Sequence, residues 1–134
     1  MIACFFALGL TLALAAPARA ASLQLSFPNL KGQGEVAWAV HGDGGSWGRR
    51  GPALRSGVTP VGRSVVVDLP PGEYGVMAYH DRNGDLKLNT LPIGLPTEPY
   101  GFSNNSRGRF GPPAWNAARF TLPPEGTRQV IQLR

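Results

Sequence analysis

The sequence predicts an all-β fold, one antiparallel β-sandwich of about seven short strands with a single long irregular loop. Three observations carry that reading. Apolar residues recur at every second position in short runs, as in Leu23, Leu25 and Phe27 or Val36, Trp38 and Val40, which is the spacing of a half-buried strand. Gly/Pro clusters separate the runs and mark turns. Through most of the stretch from His80 to Trp115 neither helical nor strand periodicity survives, and a compact domain carries so long an irregular segment when it binds something or is disordered. The aromatic residues in it argue against disorder.

The fold is expected to begin after a leader. Ile2 to Ala16 is almost wholly apolar, and Ala18-Arg19-Ala20 fits the small-x-small rule for signal-peptidase cleavage before Ala21. Residues 1–20 therefore read as a signal peptide and 21–134 as a single domain, although no Lys or Arg precedes the apolar run. That run is too short, and too full of Ala and Gly, for a membrane-spanning helix, so no transmembrane span is expected after cleavage. A periplasmic or extracellular location follows. Cys4, the only cysteine, leaves with the leader, so disulfides do not hold the mature domain together. Loss of Arg19 lowers the formal net charge from +5 to +4. The basic residues are scattered apart from Arg49-Arg50 and Arg107/Arg109; this pattern suits a solvated surface and not a nucleic-acid partner.

Taken in order, Leu23 to Phe27 is the first strand, ended by a turn over Pro28-Asn29 and Lys31-Gly32. Val36, Trp38 and Val40 face one side of the second, with Glu35, Ala37, Ala39 and His41 on the other. The glycine-rich run Gly42 to Gly51 reads as a loop in which Trp47 is unusually large. Leu54 to Val61 has room for a short edge strand between Pro52 and Pro60. Arg63 to Leu69 is the clearest strand, with Val65, Val67 and Leu69 inward. Pro70-Pro71-Gly72 turns the chain into a strand from Glu73 to Asp81. The LPPGEY run at 69–74 is similar to the corner of many sandwich domains, where a Tyr just after a tight turn buries its ring and bonds nearby backbone. Tyr74, Val76 and Ala78 then face the core. Ala117 to Leu122 and Thr127 to Leu133 are the last strands, and Pro113 to Ala118 has room for one helical turn.

The motifs LPPGEYGVMAYHDRNGD, IGLPTEPYGFSNNSRGRFGPPAW and AARF, with LQLSFPNLKGQGEV at the start, resemble the bacterial exported family known as domain of unknown function 2141. The resemblance implies a small exported immunoglobulin-like or transthyretin-like sandwich and assigns no activity.

The strongest local chemical signal is Asp81-Arg82-Asn83-Gly84-Asp85-Leu86-Lys87-Leu88-Asn89. It is similar to calcium loops in which oxygens at positions 1, 3, 5, 7 (a backbone carbonyl) and 9 surround the ion. Those positions are Asp81, Asn83, Asp85, Lys87 and Asn89. The sharp-turn glycine is replaced by Leu86 and the acidic twelfth position by Pro92; Glu98 supplies a missing carboxylate only if the chain folds back. The competing reading is a hairpin, because Asn83-Gly84 is the favoured pair for a two-residue type I′ turn. Calcium is thus a candidate cofactor and no other is expected.

Tyr100, Phe102, Phe110 and Trp115 are interleaved with Asn104, Asn105, Arg107 and Arg109. Aromatic faces flanked by amides and Arg suit a sugar or peptide, with Tyr100, Asn104, Asn105, Arg107, Arg109 and Trp115 as candidate ligand-binding residues. Alternatively the rings form a satellite core that pins the loop, and the Asn side chains bond its backbone. A hydrolase using His80 and Asp81 is the weakest alternative. Ser103 lacks the closing Gly of the G-x-S-x-G elbow, and the chain ends Val130-Ile131-Gln132-Leu133-Arg134 where transthyretin-like hydrolases end Tyr-Arg-Gly-Ser. The expected function is a non-enzymatic envelope or surface module that binds an envelope protein or a glycan, or serves a structural role.

Overall fold

The computed structural model describes residues 19–48, 51–82, 98–109 and 111–134. The all-β expectation holds. Among the described residues, eight strands form two sheets: β1 (Ala21–Ser26), β2 (Glu35–His41), β3 (Arg55–Pro60), β4 (Val65–Leu69), β5 (Gly72–Asp81), β6 (Tyr100–Phe102), β7 (Phe120–Leu122) and β8 (Thr127–Val130). One sheet has the order β4-β1-β8; the other runs β3-β2-β5-β6, with β7 also on β5. Strand β5 is the spine. It pairs with β2 along Gly75 to Asp81, while β7 takes Gly72 to Tyr74 and β6 takes Met77 to Tyr79 on the opposite edge.

The period-2 pattern places the core. Leu23, Leu25, Val67 and Leu69 from one sheet meet Val36, Val40, Val76 and Ala78 from the other, and all are buried. Val66, of opposite parity in β4, is exposed. The Tyr corner is present: Tyr74 is buried, and its hydroxyl donates to the Pro70 carbonyl at 2.6 Å. Burial pushes its phenol above the usual range, against an opposing pull from Arg55.

Three expectations need correction. The sandwich is not wholly antiparallel, because β1 and β8 run parallel. Alternation fixes which face a residue takes but is blind to strand direction. Here the turn after β7 carries the chain from the five-stranded sheet to the other, where β8 arrives alongside β1. That turn closes on Gly126, whose φ is +90° and whose Cα faces the Ser22 carbonyl so closely that a Cβ would lie 2.8 Å from it. The Gly42–Gly51 run is not simply a loop, since Gly44–Gly48 forms one helical turn, α1. Asp43 starts it by accepting the Ser46 N–H at 2.7 Å, the role of an N-cap. The described part of the tract before Trp115, from residue 98 on, is also less irregular than its composition suggests. It contains β6, a 3-10 turn at Ser103–Asn105, and leads to α2 (Trp115–Ala118). Gly101 hides β6 from a pattern reading. A side chain there would lie 2.5 Å from the Gln132 carbonyl oxygen and press on Ile131 and Leu133.

Candidate functional site

A second apolar assembly lies on the outer face of the five-stranded sheet. Alternation turns Gly75, Met77 and Tyr79 of β5 away from the main core. Their cross-strand partners, His41 and Ala39 on β2 and Phe102 and Tyr100 on β6, share that outer face. Trp47 from α1, Phe102 and Ala118 are buried there, with Met77, Tyr100 and Trp115 packed around them. Trp47 is the hub. Its ring meets Phe102 at 5.9 Å, Trp115 at 5.7 Å and His41 at 5.7 Å between centroids, each edge-on, a favoured aromatic arrangement. Its indole N–H donates to the Pro113 carbonyl at 2.8 Å. Gly75 makes the close approach possible, since a Cβ there would lie 2.7 Å from the Trp115 ring and 3.0 Å from that of Trp47.

Side-chain hydrogen bonds fix the following segment. Where β5 changes partners between β7 and β6, the Val76 N–H points to a gap in the ladder. The buried Ser103 Oγ accepts it at 2.9 Å and donates to the Ala118 carbonyl at 2.6 Å. Ser103 is thus committed on both sides and does not present a free hydroxyl. Asn104 and Asn105 both have positive φ, 59° and 50°, a conformation that Asn tolerates better than most side chains. The Asn104 amide donates to the Ala117 and Arg119 carbonyls. The Asn105 amide donates to Val130 O, and its oxygen accepts the Gln132 N–H. The loop is therefore tied to α2, to the end of β8 and to the chain just beyond it. These contacts are those expected of a satellite core.

The candidate ligand-binding residues consequently divide. Tyr100 and Trp115 are half-buried in the aromatic cluster, and Asn104 and Asn105 hold backbone. Arg107 and Arg109 are exposed. Arg107 lies over the Tyr100 ring, its guanidinium carbon 5.0 Å from the centroid, and donates to the Tyr100 carbonyl at 3.3 Å. Arg107 lines a small cleft with Arg134, Gln132, Ser106 and Asn105. Phe110 and the Arg49-Arg50 pair lie outside the described residues.

Of the candidate calcium ligands, Asn83, Asp85, Lys87 and Asn89 also lie outside the described residues, as does the Asn83-Gly84 turn. Asp81 and Glu98 are described, and both are buried. The chain does fold back: a Glu98 carboxylate oxygen accepts the Arg82 N–H at 2.8 Å. Among the described residues, no three His, Cys, Asp or Glu side chains gather as a metal centre. His80 is buried, and its Nε2 lies 2.9 Å from the Gln33 carbonyl, to which it donates. Adjacent positions on a strand point to opposite faces, so His80 and Asp81 do not face one another.

His41 escaped a reading by motif. It is buried under Trp47, and its Nδ1 lies 3.1 Å from Ser46 Oγ. Burial pushes its pKa below the usual range, with Asp43 pulling the other way. The signal available in the sequence was Trp47 itself, too large for a flexible glycine-rich loop, only six residues after a strand-end histidine.

The comparison with family models matches residues 23–131 to the family described as an uncharacterized protein conserved in bacteria, DUF2141. No curated protein and no solved structure matches the chain. Among the described residues, no helix is long and apolar enough to cross a membrane. The chain belongs to the DUF2141 family.

Proposed function

We propose that this protein is an exported, non-enzymatic β-sandwich module of the envelope or cell surface, whose recognition face is the outer side of residues 98–109 and 111–118. An envelope protein or a glycan is its partner. One observation supports this most: the 103–105 backbone is held by Ser103, Asn104 and Asn105, while the adjacent Arg107 and Arg109 remain exposed. A fixed loop that presents exposed cationic side chains loses little conformational entropy on binding. Export is supported by β1 starting at Ala21, directly after the cleavage motif.

Deleting the loop is a poor test because it would remove β6 and Ser103 from the fold. The informative variant is Arg107→Ala with Arg109→Ala, both on the surface. Its melting temperature should match the parent's, while binding on a glycan array and to purified envelope fractions falls at least tenfold. Unchanged binding by the folded variant refutes this recognition face.

Calcium stabilisation is a second reading, favoured by the return of Glu98 to the start of the 81–89 loop. Such a site, with two or three carboxylates, would have a dissociation constant of about 0.1–1 mM. Calcium at about 10 mM then stabilises the native state by about 1.4–2.7 kcal/mol through mass action. The melting temperature should rise with calcium in the parent and not in Asp81→Asn. A flat titration in the parent rules the site out.

A further inference from the structure

The cleft beside β6 carries an inference about ligand class that rests on the binding reading above. It is lined by Arg107 and Arg134 together with Gly101, Phe102, Asn105, Ser106 and Gln132. The other polar side chains of the cleft are already committed. Asn105 bonds Val130 and Gln132 main chain, Ser106 Oγ donates to Ser103 O, and the Gln132 side-chain oxygen accepts from Arg134. Each guanidinium makes one described hydrogen bond, Arg107 to Tyr100 O and Arg134 to Gln132. Five N–H donors on each leave most of them for a ligand. No acidic side chain lines the cleft, and the ion pair found among the described residues, Arg119 with Glu73, involves neither arginine.

Size narrows the ligand. The cleft holds about 50 Å³. A water-sized sphere occupies roughly 10–15 Å³ on the same measure, so the space suits one oxyanion and excludes a whole sugar ring. Arginine's planar fork matches a planar carboxylate with two parallel hydrogen bonds. A peptide would ordinarily add an apolar anchor in a pocket, but the apolar ring here, Phe102, is only 6% exposed. A carboxylate fixed to a rigid pyranose also has less rotamer freedom to lose than an Asp or Glu side chain.

We propose that this cleft binds the carboxylate of an acidic sugar, a uronic-acid unit presented by a larger glycan whose rings stay outside. The probes are glucuronate, glucose and a short polyglutamate peptide, titrated into the full chain and followed by amide chemical shifts. Glucuronate should bind with a dissociation constant of order millimolar and perturb Gly101, Ser106 and Gln132, while glucose leaves them unmoved. Arg107→Gln and Arg134→Gln should each weaken binding about tenfold. Arg63→Gln, which removes the same charge from an exposed position elsewhere, should not. Equal responses to glucuronate and glucose, equal losses in all three variants, or tighter binding of polyglutamate would each overturn the assignment. Glucuronate failure alongside Arg107-dependent capture of a neutral glycan would refute only the ligand class. Loss of all Arg107-dependent capture would refute the recognition face itself.

Discussion

The two faces of the five-stranded sheet are packed by different means. On the inner face, aliphatic residues from both sheets meet through regular alternation, so neighbouring positions repeat the same solution. The outer face is assembled from single residues of α1, β6, α2 and the turn between them. Trp47, Phe102 and Trp115 supply its bulk, and Gly75 opens the space that their rings fill. One side depends on a pattern, the other on particular groups. Substitutions on the outer face should therefore be less forgiving of chemistry, even where they remove less volume.

Removing the hub should have the largest effect. Trp47→Ala should destabilise the fold by about 3–5 kcal/mol, the range for buried Trp or Phe truncation, and abolish the near-ultraviolet signal of the cluster. If the outer cluster is only an ornament on a stable sandwich, the loss will be small and the strand signal will melt at its original temperature. Chemical denaturation followed by both near- and far-ultraviolet dichroism distinguishes the outcomes.

Ser103→Ala sharpens the contrast because it removes one oxygen and almost no volume. It leaves the buried Val76 N–H and Ala118 carbonyl without their shared partner. Unsatisfied buried groups cost roughly 1–3 kcal/mol each, and a combined loss of about 2–3 kcal/mol is expected in urea denaturation. Tyr74→Phe is the matching change on the inner face, where the hydroxyl bonds a single carbonyl at the turn. The expected loss is about 1 kcal/mol. A larger loss for Tyr74→Phe than for Ser103→Ala would reverse the contrast between the faces.

The same difference explains what could be read from the sequence. Leu23, Leu25, Val67, Leu69, Val76 and Ala78 announce their burial because the strand repeat recurs around them. The Tyr74 corner could be foreseen because its turn and its ring are close in sequence. Trp47 and Trp115 are far apart in sequence and meet only across Gly75, and no local periodicity encodes that contact. β6 was obscured because Gly101 interrupts the apolar alternation where Ile131 and Leu133 need room. In the GFSNN segment the sequence displayed the right residues, but Ser, Asn and Arg there suit ligand contact and backbone bonding equally. Only geometry shows that Ser103, Asn104 and Asn105 bond backbone and that Arg107 stays exposed. The parallel pairing of β1 and β8 was hidden for a different reason, since a strand repeats identically in either direction.

His41 offers the smallest and most specific test, because it titrates where the outer cluster meets the sheet. Burial beneath Trp47 lowers its pKa from an ordinary 6.5, and Asp43 only partly opposes the shift. Above pH 6.5 both folded and unfolded chains hold a neutral imidazole, so the contribution to stability is fully present. As the pH falls, the unfolded chain takes up the proton first, and stability declines until the folded imidazole is protonated too. The parent's melting temperature should therefore begin to fall as the pH drops through about 6.5, above the range where ordinary carboxylates titrate. His41→Gln removes this ionisation, retains a polar side chain beside Ser46, and should flatten the decline. An equal decline in the variant would assign the pH dependence to another group. A flattened one would show that the outer cluster shields His41 from water strongly enough to hold it neutral, as a packed core does and a loose loop does not.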